Sequence, residues 1–178
     1  MLDMAIQRIT SFLWFSQEAE EAALYYTGIF QHSQITAITK YGEAGKEMHK
    51  QPPGSVMTVA FELDGMKFTA INGGPSITFN QAVSFVVTCE TQDEVDYYWA
   101  KLAAGGEKAA QQCGWLKDKY GLSWQVVPAI LIEMLKDADY QKSQRVMEAM
   151  MAMKKIDVAT LLNAFAGEVQ PGEPAMAI

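Results

Sequence analysis

Only two cysteines, Cys89 and Cys113, occur among the 178 residues. They make neither a disulfide framework nor a C-x-x-C pair, so reduced thiols in a cytoplasmic protein are the expectation. Histidine is as scarce: His32 and His49 are the only imidazoles on offer for acid–base work or metal ligation. Basic charge is also in short supply, with 14 Lys and Arg against 21 Asp and Glu and a formal net charge of −7. Such a surface repels phosphate backbones and no basic stripe offsets it, so nucleic acid is not an expected partner. No apolar run approaches the roughly 20 residues of a membrane helix. The stretch Met1–Thr10, which contains Asp3, has no signal-peptide core. Neither membrane insertion nor export is expected.

What is present suits an ordinary globule: 49% hydrophobic and 20% charged residues. Ile9–Phe15 is short, β-branched and aromatic, and reads as a strand. Ser16 is the expected N-cap of a helix over Gln17–Phe30, in which Ala19, Ala22, Ala23 and Tyr26 recur at helical spacing. Strands follow at Gln34–Tyr41, Ser55–Leu63 and Met66–Ile71, the last two joined by the hairpin signal Asp64-Gly65. Gly42–Gly54, with Pro52-Pro53, reads as a mobile loop.

The order β-α-β-β-β then restarts. Val83–Cys89 is a strand and Thr91–Ala104 a helix stopped by Gly105-Gly106. Lys108–Gln112, Gly114–Lys117 and Leu122–Val127 are three shorter strand candidates. Ser11-Phe12 is echoed by Ser84-Phe85, and Tyr25-Tyr26 by Tyr98-Trp99, at one common offset. Beyond Pro128, Ile130–Leu135 and Gln141–Phe165 are helical in pattern. Met147, Met150, Met151, Val158, Leu161 and Leu162 lie along one apolar stripe. The expected divisions are 7–75 and 80–128 for the two modules, 129–166 for the helices and 167–178 for a frayed tail.

Two runs carry a resemblance. Asn72-Gly73-Gly74-Pro75 with Phe79-Asn80-Gln81-Ala82-Val83-Ser84-Phe85 is one. Cys113-Gly114-Trp115-Leu116-Lys117-Asp118 with Tyr120-Gly121-Leu122-Ser123-Trp124-Gln125-Val126-Val127-Pro128 is the other. Both resemble the PhnB-like branch of the vicinal-oxygen-chelate (glyoxalase/bleomycin-resistance) superfamily, whose members often carry the label 3-demethylubiquinone-9 3-methyltransferase. The resemblance implies an α+β fold of two βαβββ modules forming cupped mixed sheets, here with a C-terminal helical appendage. It maps the superfamily's four metal-ligand positions onto Thr10, Ala70, Ser84 and Gln125. Hydroxyl, methyl and amide groups are poor ligands for a divalent cation, so neither a metal nor another cofactor is expected.

Thr10, Phe12 and Trp14 on the first strand and Ala70 and Asn72 on the fourth are expected to share a pocket with Ser84, Val86 and Gln125. The competing reading is a filled core in which Asn72 and Gln125 satisfy local backbone. Tyr41, Glu47 and His49 are candidates for a lid, or else a solvated loop. Trp115 and Trp124 either wall a cavity or anchor a short hairpin. The methionine stripe either holds a flexible ligand groove or packs on a core or second subunit. Cys113 has no adjacent His to make it a nucleophile, and no nucleophile-elbow turn is present. Gly73-Gly74 precedes a strand rather than a helix, against S-adenosylmethionine binding in a Rossmann-type turn.

A metal-independent, homodimeric small-molecule binding protein is the first expectation. The alternative is a superfamily isomerase, lyase or dioxygenase with atypical ligands, drawing on His49, Glu47 or Glu62.

Overall fold

A computed structural model describes residues 7–168. The expectations for Met1–Ile6 and for the tail from Val169 onward lie outside the described residues. The chain divides into two units, Met1–Phe79 and Asn80–Ile178.

In the first unit, β1 (Ser11–Phe15) leads into α1 (Ala19–Thr27), then β2 (Gln34–Lys40), a short α2 (Lys46–His49), β3 (Val56–Leu63) and β4 (Met66–Asn72). The sheet order is β1-β4-β3-β2, with β1 parallel to β4 and the other pairs antiparallel. The β3–β4 hairpin closes through Asp64 and Gly65, both at positive φ, as the sequence signal demands. Ala19, Ala22, Ala23 and Tyr26 are the buried stripe of α1. They share the core with Leu13, Phe15, Val59, Phe61 and Phe68. The expected cap does not hold: α1 starts at Ala19, and Ser16 is not its N-cap. Asn72, distant in sequence, accepts the Ala19 N–H instead.

The second unit runs β5 (Phe85–Cys89), α3 (Gln92–Ala103), β6 (Trp115–Lys117) and β7 (Ser123–Pro128). Its sheet order is β5-β7-β6, with β5 parallel to β7. This repeats the first unit's pattern with one strand fewer. The expected strand Lys108–Gln112 is absent as such: Lys108–Ala110 is a 3₁₀ turn, and Gln112 makes a single bridge to Trp115. The reason is local. Cys113 and Gly114 form a tight turn at positive φ, and the Gly106 backbone sits so close to the Lys117 carbonyl that a Cβ there would lie 2.0 Å away.

Three helices complete this unit, α4 (Ala129–Leu135), α5 (Tyr140–Met151) and α6 (Val158–Ala166). They pack around Leu131, Met134, Val146, Ile156 and Leu161. The single helix expected over Gln141–Phe165 is two. The carbonyls of Met153 and Lys154, between them, accept the N–H groups of Cys113 and Gly114, each at 2.8 Å. Asp157 then caps α6 by accepting the Thr160 N–H. The expected stripe is thus divided between α5 and α6, and Met147 and Met151 of α5 are exposed.

Candidate functional site

In the first unit, register decides which residues share a face. Leu13 pairs with Ala70 and Phe15 with Asn72. Side chains of paired residues point the same way, so Ala70 and Asn72 lie on the helix-covered face with Leu13 and Phe15. The expected grouping of Ala70 and Asn72 with Thr10, Phe12 and Trp14 is thereby corrected. Even-numbered residues share a face within each strand, but the parallel register aligns odd residues of β1 with even residues of β4. The neighbours of Phe12 and Trp14 on the open face are Thr69 and Ile71. Phe12 is 60% exposed there. Trp14 lies against Gly73 and donates its indole N–H to the Gly74 carbonyl at 2.8 Å.

Asn72 is a structural hub. Its carboxamide oxygen accepts from Ala19, its NH₂ donates to the Val56 carbonyl at 3.1 Å, and its own carbonyl accepts the Tyr41 hydroxyl at 2.7 Å. It also borders a polar cleft of about 320 Å³ with Gln17, Glu20, Gln51 and Ser55. Of the lid candidates, Tyr41 is buried and tied to Asn72, while Glu47 is exposed. His49 packs on the Tyr41 ring at 4.5 Å, and its Nδ1 accepts the Gln51 N–H at 3.0 Å. The imidazole holds its own loop together.

In the second unit Ser84, Val86 and Gln125 do lie together. Val86 pairs with Gln125, and the Gln125 amide donates to the Ser84 hydroxyl at 2.9 Å. Gln125 also pairs with Trp115 across β6 and β7. Gln125 lines a cleft of about 580 Å³, whereas Ser84 and Val86 stand outside its lining. Trp115, Gln125 and Val127 belong to the sheet, Gln81, Ala109, Ala110, Gln112 and Cys113 to loops, and Leu131, Ile132, Leu135, Met150 and Met151 to α4 and α5. The sequence reading missed the α4 contribution and the glutamines Gln81 and Gln112. The methionine stripe, read as a possible ligand groove, was the available signal.

The two tryptophans part ways. Trp115 walls the cleft, whereas Trp124 is buried and donates its indole N–H to Asp118 at 2.9 Å. The buried Asp118 carboxylate also accepts the N–H groups of Tyr120 and Leu122, which folds the intervening turn.

Charge stays away from the cleft: every residue lining it is neutral. Burial, then the nearby Glu94, pushes the Cys89 thiol up to about 12, so it is no nucleophile at neutral pH. Asp96 is held below its ordinary range first by its hydrogen bond to Lys155, then by Gln92. No group of three or more His, Cys, Asp or Glu side chains suited to holding a metal occurs among the described residues. The mapped positions do not fit a divalent cation. Ala70 has no donor atom, Thr10 is a solvent-exposed hydroxyl, and the Ser84 hydroxyl is engaged by Gln125. No described helix is long and apolar enough to cross a membrane.

A family model described as 3-demethylubiquinone-9 3-methyltransferase matches residues 7–127. No curated protein matches. Among solved structures, the PhnB protein of Bacillus cereus is 39% identical, with a TM-score of 0.60, covering 69% of this chain and all of that one. A protein from Pseudomonas aeruginosa is 18% identical at TM-score 0.53, covering 67% of this chain and 96% of its own. The fosfomycin resistance protein FosX of Listeria monocytogenes is 17% identical at TM-score 0.50, covering 75% of this chain and 100% of its own. The last two show likeness of fold alone. With its β-α-β-β-β first unit, shortened second unit and matched span, the chain belongs to the PhnB-like 3-demethylubiquinone-9 3-methyltransferase family, within the vicinal-oxygen-chelate fold.

Proposed function

We propose that the chain is a metal-independent binding protein for an uncharged small molecule, acting in the cytoplasm as a homodimer. The observation that carries this reading is the second unit's cleft, about 580 Å³ and lined without a single charge. Its size and composition match those of small-molecule sites. Neutral groups at the mapped metal positions argue against Lewis-acid chemistry. The run after β4 continues to β5 with no intervening helix, so Gly73-Gly74 makes no Rossmann-type turn for S-adenosylmethionine. Apolar side chains left in solvent on open sheet faces, Phe12 at 60% and Val86 at 53%, favour a second copy as cover.

Native mass spectrometry of freshly purified protein, with elemental analysis, is the test. The expected result is a dimer carrying no stoichiometric divalent metal. A protein-bound metal lost together with an activity would end the proposal.

The family's description keeps a second reading open, that of a superfamily enzyme. It would draw on Glu47, His49 or Glu62. Glu47 is exposed, the His49 ring is engaged within its loop, and Glu62 accepts from Gln34 at 3.4 Å. Any turnover found by substrate screening that survives replacement of both Glu47 and His49 would remove these two residues from that reading.

A further inference from the structure

We infer that the C-terminal helices α4 and α5, beyond the family-matched residues 7–127, set the ligand class of the second unit's cleft, selecting an uncharged, mainly apolar molecule with a hydroxyl, carbonyl or amide at one end. This rests on the binding reading above.

The family segment contributes a sheet face with Trp115, Gln125 and Val127 and the bordering loops, but no helix of the lining. Leu131, Ile132 and Leu135 of α4 and Met150 and Met151 of α5 provide the helical wall. That wall is fastened in place. Cys113 and Gly114 donate to the carbonyls of Met153 and Lys154. From the other side, the Gln92 amide donates to the Ile156 carbonyl at 3.2 Å and accepts the Val158 N–H at 2.8 Å. The helices have their own core around Val146 and Leu161. A wall so anchored discriminates by shape.

Chemistry narrows the ligand further. With no counter-charge on any side of the cleft, a charged ligand would lose hydration without compensation. Thioethers and an indole favour a flat or unsaturated apolar body. Polar recognition falls to carboxamides. Because the Gln125 NH₂ is directed to Ser84, its oxygen is left to accept an O–H or N–H from a ligand. Gln81 and Gln112 on the bordering loops offer both donor and acceptor groups.

Nile red, uncharged and planar, is titrated into the full chain by fluorescence, beside the anionic dye 8-anilinonaphthalene-1-sulfonate. Saturable binding is expected, about tenfold tighter for Nile red than for the anion. Ile132→Trp and Met151→Trp, at partly exposed positions on the helical wall, should each weaken Nile red about tenfold or more by filling the cleft. Ile130→Trp, on α4 but off the cleft, should change it less than about twofold. Circular dichroism melts check that each variant is folded. If Trp115→Ala or Gln125→Leu abolishes binding while Ile132→Trp and Met151→Trp keep the native affinity, the cleft reading stands and the inference about the helices fails. Equal affinity for the anion overturns the charge selection. Absence of saturable binding to the native chain, or binding that none of these substitutions alters, sinks both.

Discussion

The side-chain oxygen of Asn72 accepts the backbone N–H of Ala19 at 2.8 Å, so the last residue of β4 caps the first turn of α1. A helix start is ordinarily satisfied by a residue next to it in sequence. Here the cap arrives from a strand, and it welds helix to sheet. Asn72→Ala should therefore cost about 2 kcal/mol, from the lost cap and from the Val56 carbonyl left without its donor. Asn72→Asp should recover part of this, because the acceptor for Ala19 is kept. Urea unfolding followed by circular dichroism measures both, and equal stability of Asn72→Ala and the native chain would refute the cap.

Close backbone approach at Gly106 makes a second test. A Cβ at that position would sit 2.0 Å from the Lys117 carbonyl oxygen, whereas one at Gly42 meets nothing within 4 Å. Gly106→Ala should destabilise by about 2 kcal/mol or more, through forced displacement of the β6 edge. Gly42→Ala should be within about 0.5 kcal/mol of native. Paired thermal melts decide it.

Thiol chemistry should divide the two cysteines. Cys89 is fully buried, with its thiol pushed up to about 12, and Cys113 is partly exposed beside the cleft. Ellman's reagent at pH 8 should titrate one thiol per native chain and both in guanidinium. Protection of both thiols in the native chain would contradict the placement of Cys113.

Acid should loosen the attachment of the C-terminal helices. Asp96 and Asp157 both sit below the ordinary aspartate value of 3.8, Asp96 through Lys155 and Asp157 through the Thr160 hydroxyl and N–H. A carboxyl lowered by folding contributes stability that is present above its unfolded pKa and lost as pH falls through its folded one. Stability should thus hold from neutral pH down to about pH 4 and decline below it. Asp157→Asn should flatten that decline. Urea midpoints between pH 7 and pH 3 provide the measurement, and an unchanged acid limb in Asp157→Asn would remove the carboxylate from the account.

Metal removal should leave the fold untouched. With no clustered ligand set among the described residues, incubation with EDTA is expected to shift Tm by less than about 1 °C, whereas stripping a structural ion removes folding free energy outright. A large downward shift in calorimetry would point to ligands outside the mapped positions.

Local signals carried most of the architecture. Asp64-Gly65 announced its hairpin and the Ala19–Tyr26 spacing its helix, and the resemblance singled out Ser84 and Gln125, which the structure joins by a hydrogen bond. The open face of the first sheet was misassigned because pleat parity within a strand says nothing about register between strands. Ala70 and Asn72 consequently changed sides. The helix over Gln141–Phe165 broke because Met153 and Lys154 are needed as acceptors by a turn far away in sequence, a tertiary demand that helical periodicity does not encode. The cleft was half legible: Gln125 was found, but the wall facing it comes from α4 and α5, whose packing against the sheet no local pattern encodes.

The Cys113–Gly114 turn has its backbone donors matched to carbonyls that follow it by about 40 residues. At the usual pace of translation, about 5–20 residues per second, those acceptors emerge several seconds after the turn they satisfy. During that interval the nascent second unit has an incomplete edge, with Trp115 uncovered and two amides facing water. Completion of this half of the molecule is thus a late event in biosynthesis, and premature chain termination after β7 would yield a product with its indole and its amide donors permanently unsheltered.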